Sequence, residues 1–98
     1  MSRLLSIHEA AEVEINEVAD FYDLVNPGLG TVFINEIHRT IQNIDMFPEA
    51  ALIVQGRVRK KVLLKFPYSL IYSLRPDEIR ILAVAHQKKR PFYWHCRR

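Results

Sequence analysis

The segment IRILAVAHQKKRPFYW, residues 79–94, joins the most apolar run of the chain to its densest positive charge. Apart from Arg80, apolar residues fill both alternating sets of positions between 79 and 85. Because successive side chains of a strand point to opposite faces, such a run is typical of a strand that is covered on both sides. We therefore predict a central strand over residues 79–85 and expect the rest of the fold to be built around it.

The residues that follow this strand carry one histidine, three cations and two aromatic rings: His86, Lys88, Lys89, Arg90, Tyr93 and Trp94. This order suits the binding of a phosphate backbone or of an acidic protein surface. The alternatives are a solvated run of cations, a structural histidine, and a tryptophan that plugs the edge of the sheet.

Length and composition predict one domain, residues 1–98, with a single modest core. The N-terminal residues include acidic positions where a signal peptide needs an apolar run, so we expect a cytoplasmic protein with no membrane association. Cys96 has no second thiol to pair with. The chain has no phosphate-cradling glycine loop, paired-carboxylate site or nucleophile motif, and we predict neither a cofactor nor a metal.

The charge is divided between the two halves of the chain. Residues 1–50 contain 2 basic and 9 acidic side chains, whereas residues 51–98 contain 12 basic and 2 acidic ones, so a net charge of +3 conceals halves of −7 and +10. The asymmetry indicates either an anionic partner for the C-terminal half or attraction between the two halves within one domain.

Periodicity predicts the order β-α-α-β-β-β, an α+β fold in which a helical hairpin packs on a mainly antiparallel four-stranded sheet. The first helix begins with a capping box of Ser6 and Glu9 or with His8 as its cap. Because two helices separate the first strand from the others, we expect it to pair in parallel. The predicted elements are strands 3–7, 57–66, 68–74 and 79–85, helices from about residue 8 to 25 and from 29 to 47, and a loop over 49–56.

The strand predicted over residues 57–66 is strongly basic. Its alternation places Val58, Lys60, Val62, Leu64 and Phe66 on one face, and Arg57, Arg59, Lys61 and Lys65 with Leu63 on the other. We predict that the face with four cations reaches water, where it is either simply solvated or docks an anionic partner.

Taken in order, several short motifs resemble the RelE/ParE toxin superfamily of bacterial type II toxin–antitoxin systems over nearly the whole chain. They are Ala11-Glu12-Val13-Glu14, Phe21-Tyr22, Pro27-Gly28-Leu29-Gly30 with Phe33, residues 44–48, Val58-Arg59, Phe66-Pro67-Tyr68 with Ile71-Tyr72, residues 81–86, Arg90-Pro91 and Tyr93-Trp94. The resemblance implies the same element order, with a curved sheet. The ending from Val84 through Trp94 is more similar to the ParE-like branch.

A ParE-like protein is expected to poison DNA gyrase and to stabilise plasmids, and a cognate antitoxin neutralises it in a hetero-oligomer. The RelE-like alternative is a nuclease that cuts mRNA on the ribosome, and a third alternative is an inactive regulatory module. Candidates for RNA cleavage are Arg59 and Lys61 for the phosphates, His86 as base or acid, and Tyr93 as acid.

The predicted binding surface for target or antitoxin comprises the cations of both basic segments and their neighbours. Acidic antitoxin residues are expected to face the basic strand, and apolar ones to fill the groove between hairpin and sheet. The predicted binding residues are Arg57, Arg59, Lys61, Lys65, His86, Lys88, Lys89, Arg90, Tyr93 and Trp94.

Overall fold

A helical hairpin packs on one face of a five-stranded sheet in the computed structural model, which describes residues 3–98. The sheet order is β1-β5-β4-β3-β2, with β1 parallel to β5 and every other pair antiparallel. The predicted α+β class and the parallel first strand are confirmed, with one strand more than predicted. The elements are β1 (Leu4–Ile7), α1 (Glu9–Val25), α2 (Leu29–Met46), β2 (Leu52–Gln55), β3 (Val58–Val62), β4 (Tyr68–Leu74) and β5 (Glu78–His86).

Local signals fix the ends of the two helices. His8 is the N-cap of α1, and its Nδ1 accepts a hydrogen bond from the Ala10 N–H at 3.0 Å. Asp23 caps the start of α2 by accepting hydrogen bonds from its backbone N–H groups. Its Oδ1 accepts from the N–H of Gly28 at 3.2 Å and from that of Gly30 at 2.8 Å. The predicted apolar stripe of α2 is buried against the sheet at Phe33, Ile37, Ile41 and Ile44.

Strand β5 is covered on both faces, as predicted. Its Ile79, Ile81 and Val84 join the helix-side core, whereas Leu82 and Ala83 join a second cluster on the opposite, outer face of the sheet. A register shift places Ile81 opposite Tyr72 and Ala83 opposite Ile71, which leaves Leu82 as the extra residue of a bulge. The bulge explains how two consecutive side chains face the same way.

The loop predicted over residues 49–56 is wrong, because residues 52–55 form the edge strand β2 and pair with β3. The strand predicted over residues 57–66 is also too long, since β3 ends at Val62. Arg57 lies in the turn between β2 and β3, and Lys65 lies in a bend before β4. Neither of these two cations is therefore on a strand face.

The predicted orientation of the basic strand is wrong as well. Arg59 lies opposite Tyr72 and Lys61 opposite Leu70, and both of those partners belong to the helix-side core. Lys60 lies opposite Ile71, on the outer face. The predicted alternation holds over β3, but the outer face is covered by the turn at residues 91–96, the C-terminal turn, so Val58 packs there. Lys61, on the other face, borders α2.

Neither α1 nor α2 is long and apolar enough to cross a membrane.

Candidate functional site

A cavity of about 210 Å³ opens on the outer face of the sheet, between the strands and the segment that follows β5. We call it the outer cavity. Val54 of β2, Ile71 of β4 and Ala85 of β5 contribute apolar surface to it. Its aromatic lining comes from the C-terminal turn, through Phe92, Tyr93 and Trp94.

Three cations from two parts of the chain line the outer cavity: Lys60 from β3, and Lys89 and Arg90 from the segment after β5. None of the described residues that line it is acidic. Over residues 3–98 the ion pairs are Arg39 with Glu36 and Arg97 with Glu14, so these three cations are unpaired there. A concave site with one sign of charge and apolar walls focuses that charge, so the cavity attracts anionic groups.

The aromatic wall is partly core and partly exposed. Trp94 is only 5% exposed and packs on Ile71, Leu82 and Ala83, which makes it a fixed wall rather than a free anchor. The Phe92 ring lies 5.6 Å from the Trp94 ring and is 46% exposed, so it is the aromatic surface that a partner meets first. The φ angle of Phe92 is 61°, a left-handed conformation that turns the chain sharply at this point.

His86 is the last residue of β5 and borders the outer cavity. Its Nδ1 accepts a hydrogen bond from the Lys88 N–H at 3.0 Å, and its ring stands edge-on to Tyr68 at 5.0 Å. In the neutral imidazole that acceptor role places the proton on Nε2. His86 therefore has a fixed tautomer and one nitrogen left for another partner.

Tyr93 directs its hydroxyl away from solvent. The hydroxyl donates to Glu14 Oε2 at 2.8 Å and lies 3.3 Å from the Val84 carbonyl oxygen. Burial raises the pKa of Tyr93, and the hydrogen bond to the Glu14 carboxylate raises that pKa further. A proton held in this way is poorly placed for donation to a leaving group.

Arg59 and Lys61 lie away from the outer cavity. Arg59 Nη1 donates to the carbonyl oxygens of Glu49 and Ala51, at 2.9 Å each, and so holds the connection between α2 and β2. Lys61 borders a separate cavity of about 180 Å³ beside α2, which Val62 and Leu64 also line. Of the four candidates for RNA cleavage, only His86 and Tyr93 line the outer cavity.

The structure brings together His86, Lys89, Arg90, Tyr93 and Trp94 from the predicted binding residues. Lys88 is exposed beside this group, whereas Arg57, Arg59, Lys61 and Lys65 lie elsewhere. Sequence reasoning missed Lys60, which it placed among apolar residues, and Glu14, which it treated as part of a family motif. Over residues 3–98, no three His, Cys, Asp or Glu side chains gather to hold a metal ion.

No protein-family model matches the chain, and no curated protein matches its sequence. A solved structure of the chromosomal ParDE TA system from P. aeruginosa contains a chain of similar fold, with a TM-score of 0.76 and 17% sequence identity. The match covers 87% of this chain and 96% of that one. At this identity the likeness establishes the fold, and it agrees with the architecture expected from the sequence motifs.

Proposed function

We propose that this chain is a single-domain, cytoplasmic toxin of a type II toxin–antitoxin system. The observation that carries the proposal is the shared fold with a chain of the ParDE system, which extends over nearly the full length of both chains. The sequence motifs support the same family independently of the fold. A protein of this kind has a cognate antitoxin as its partner, and the two form a hetero-oligomer.

For the target we propose DNA gyrase, with the outer cavity as the contact surface. The cavity offers what binding requires, namely unpaired cations beside an exposed aromatic ring. Two candidates for RNA cleavage are occupied by internal bonds, Arg59 by backbone carbonyls and Tyr93 by Glu14. This arrangement favours a protein that binds its target over one that transfers protons.

Ribosome-dependent cleavage of mRNA is the second candidate. It is favoured by one observation: His86 and Lys89 line the same cavities, so an acid/base group and a phosphate-binding cation are adjacent. The order of DNA damage and translation arrest after induction separates this hypothesis from gyrase binding.

For the antitoxin we propose the surface beside α2, away from the outer cavity. Val62 is 60% exposed and Leu64 is 91% exposed, and Lys65 follows them directly. An apolar stretch with an adjacent cation suits a partner segment that is both apolar and acidic and that folds as it binds. Arg57 provides a further exposed cation for an acidic partner.

The test is controlled expression in a bacterial host, with purified protein added to gyrase supercoiling and cleavage assays. We expect growth arrest, DNA damage before any fall in translation, and inhibition of gyrase at micromolar concentration. Lys60→Ala and Lys89→Ala should weaken inhibition by about tenfold each, because each removes a cation from a focused site. Arg75→Ala is the matched control, since Arg75 is an exposed cation in the β4–β5 connection.

Early breaks in translated messages, with gyrase unaffected, would instead support the ribosomal target. Absence of any growth defect from a well-expressed, folded chain would contradict the toxin proposal.

A further inference from the structure

Among residues 3–98, half of strand β5 has no neighbouring strand on one side. β1 pairs with β5 only as far as Ile81, where the Ile81 carbonyl accepts a hydrogen bond from the His8 N–H at 2.8 Å. Beyond that residue the chain has already turned into α1. The outward backbone groups of β5 at Leu82 and Val84 therefore need other partners, since an open strand edge presents unpaired donors and acceptors.

Side chains take the place of the missing strand. Glu14 Oε1 accepts from the Val84 N–H at 3.0 Å, Arg97 Nη1 donates to the Leu82 carbonyl at 3.0 Å, and the Tyr93 hydroxyl lies 3.3 Å from the Val84 carbonyl. We call Glu14, Tyr93 and Arg97 the Glu14 clasp. It joins α1 to the C-terminal turn across the edge of β5.

Glu14 is the centre of this clasp. Besides the Val84 N–H, its carboxylate accepts from the Tyr93 hydroxyl at 2.8 Å and from Arg97 Nη1 and Nη2 at 2.8 and 3.1 Å. Glu14 is the acceptor in all four bonds, so this position requires a side chain whose polar atoms all accept. A carboxylate meets this requirement, whereas the NH₂ group of an amide can only donate. The Arg97 guanidinium also lies 5.1 Å from the centre of the Tyr93 ring.

The clasp is continuous with the outer cavity. Tyr93 lines the cavity with its ring while its hydroxyl is held by Glu14, and the Lys89 ammonium lies 5.1 Å from the centre of that ring. At its other end, the segment is attached by the Gln87 N–H, which donates to the Pro67 carbonyl at 3.0 Å. The segment is thus held at both ends, and the hydrogen bond from the Lys88 N–H to His86 Nδ1 and the buried Trp94 ring add to these attachments.

We infer that Glu14 is a positioning residue that holds residues 88–94, and with them the cations and the aromatic wall, in the geometry that the target recognises. Its role in toxicity rests on the proposed function. Its role in ordering the segment does not, because that role follows from the hydrogen bonds alone.

Glu14→Gln is the direct test, with Glu17→Gln as the control. Glu17 lies one turn further along α1 and is exposed, so its substitution changes the net charge equally. In Glu14→Gln, amide exchange at Val84 and at the hydrogen-bonded N–H groups of Lys88, Lys89, His95 and Arg97 should accelerate at least about tenfold, since a bond to a charged acceptor is lost. Exchange at Leu70 and Ile71, which are interior positions of β4, should be unchanged. Binding to purified gyrase should weaken by about tenfold or more.

Tyr93→Phe is the second variant, in case Glu14→Gln does not fold. It removes only the hydroxyl and retains the ring beside Lys89, and it should accelerate exchange over the same segment. Unchanged exchange at these hydrogen-bonded amides in a folded variant would overturn the inference. Faster exchange with target binding unchanged would also overturn it, because the clasp would then only support the fold. If wild-type protein neither arrests growth nor binds gyrase, the proposed function fails, and the exchange measurements still decide the ordering role.

Discussion

Two neighbouring cations on β3, Arg59 and Lys60, have different roles because they lie on opposite faces of the sheet. Arg59 points to the helix side and is bonded to two backbone carbonyls, whereas Lys60 points to the outer cavity and is unpaired over residues 3–98. In the sequence both are members of one basic run. Their roles differ because successive side chains of a strand face opposite ways.

This difference predicts opposite effects of two alanine substitutions. Arg59→Ala should lower the free energy of unfolding by about 1–3 kcal/mol, because two backbone carbonyls, of which that of Ala51 is partly buried, lose a charged donor. Lys60→Ala should change that free energy by less than about 0.5 kcal/mol and should weaken target binding instead. Urea titrations and gyrase binding on both variants measure the contrast. Equal losses of stability would contradict the assignment of the two faces.

Glu36 is a buried carboxylate with a structural task. It is 3% exposed, and its Oε2 accepts from the N–H groups of Leu64 at 2.7 Å and Lys65 at 2.8 Å. Glu36→Ala should therefore destabilise the fold by about 1–3 kcal/mol, since both backbone donors lose their acceptor. Asn35→Ala, an exposed change on the same helix, should stay within about 0.5 kcal/mol. Chemical denaturation measures the free energy of unfolding of both variants. An unchanged free energy of unfolding in Glu36→Ala would show that water replaces the carboxylate.

At the scale of elements, sequence reasoning found both helices and the strands that became β1, β4 and β5, because their apolar periods are long or unambiguous. It missed β2 because a strand of four residues is too short to show an alternating pattern. Pro48 and Gly56, which flank it, also favour a turn or loop. It also misjudged the orientation of β3. That orientation depends on what covers the outer face, and the cover is Trp94, which lies 36 residues from Val58 in the chain.

Only part of the candidate site could be predicted, because the rest depends on contacts between residues that are distant in the sequence. Residues that adjoin in sequence, such as Lys89, Arg90 and Tyr93, were found together. Lys60 and Glu14 reach the site only through the register of the sheet and the crossing of α1 over β5. No local pattern in the sequence signals either of them.

The crossing of the two helices depends on Gly30. A Cβ at this position would lie against the Ala19 carbonyl oxygen and 2.7 Å from Asp23 Cγ, so the helices could not keep their present distance. Alanine usually stabilises a helix relative to glycine, by about 1 kcal/mol. Here we expect Gly30→Ala to destabilise the protein by about 1–3 kcal/mol through overpacking. Thr31→Ala, at an exposed neighbouring position, is the control, and a stabilised Gly30→Ala would contradict the close approach.

At the scale of the whole molecule, burial raises the pKa of all four tyrosines: Tyr22, Tyr68, Tyr72 and Tyr93. The folded state therefore retains phenolic protons that the unfolded chain releases near pH 10. Because the folded state then binds more protons, its stability is fully present below pH of about 10 and falls as the pH rises above that value.

Urea titrations at pH values of about 8, 10 and 11 measure this fall, and absorbance of the tyrosinate form follows ionisation directly. Tyr93→Phe should reduce the slope of stability against pH above about 10, because one such group is removed. Full ionisation of the native tyrosines near their ordinary pKa would contradict the predicted shifts.

The Glu14 clasp also sets an order of events during synthesis of the chain. Glu14 and Arg97 are 83 residues apart, and in the described part of the chain, residues 3–98, β1 pairs with β5 alone. Contacts of such separation form late, after the local helical contacts. On the ribosome, the emerging chain offers α1 and α2 long before the sheet can close, and the outer cavity exists only once residues 89–94 have emerged. A partner that recognises α2 can therefore meet the nascent chain before its target-binding surface has formed, and a premature stop codon ahead of Arg97 leaves that surface without its clasp.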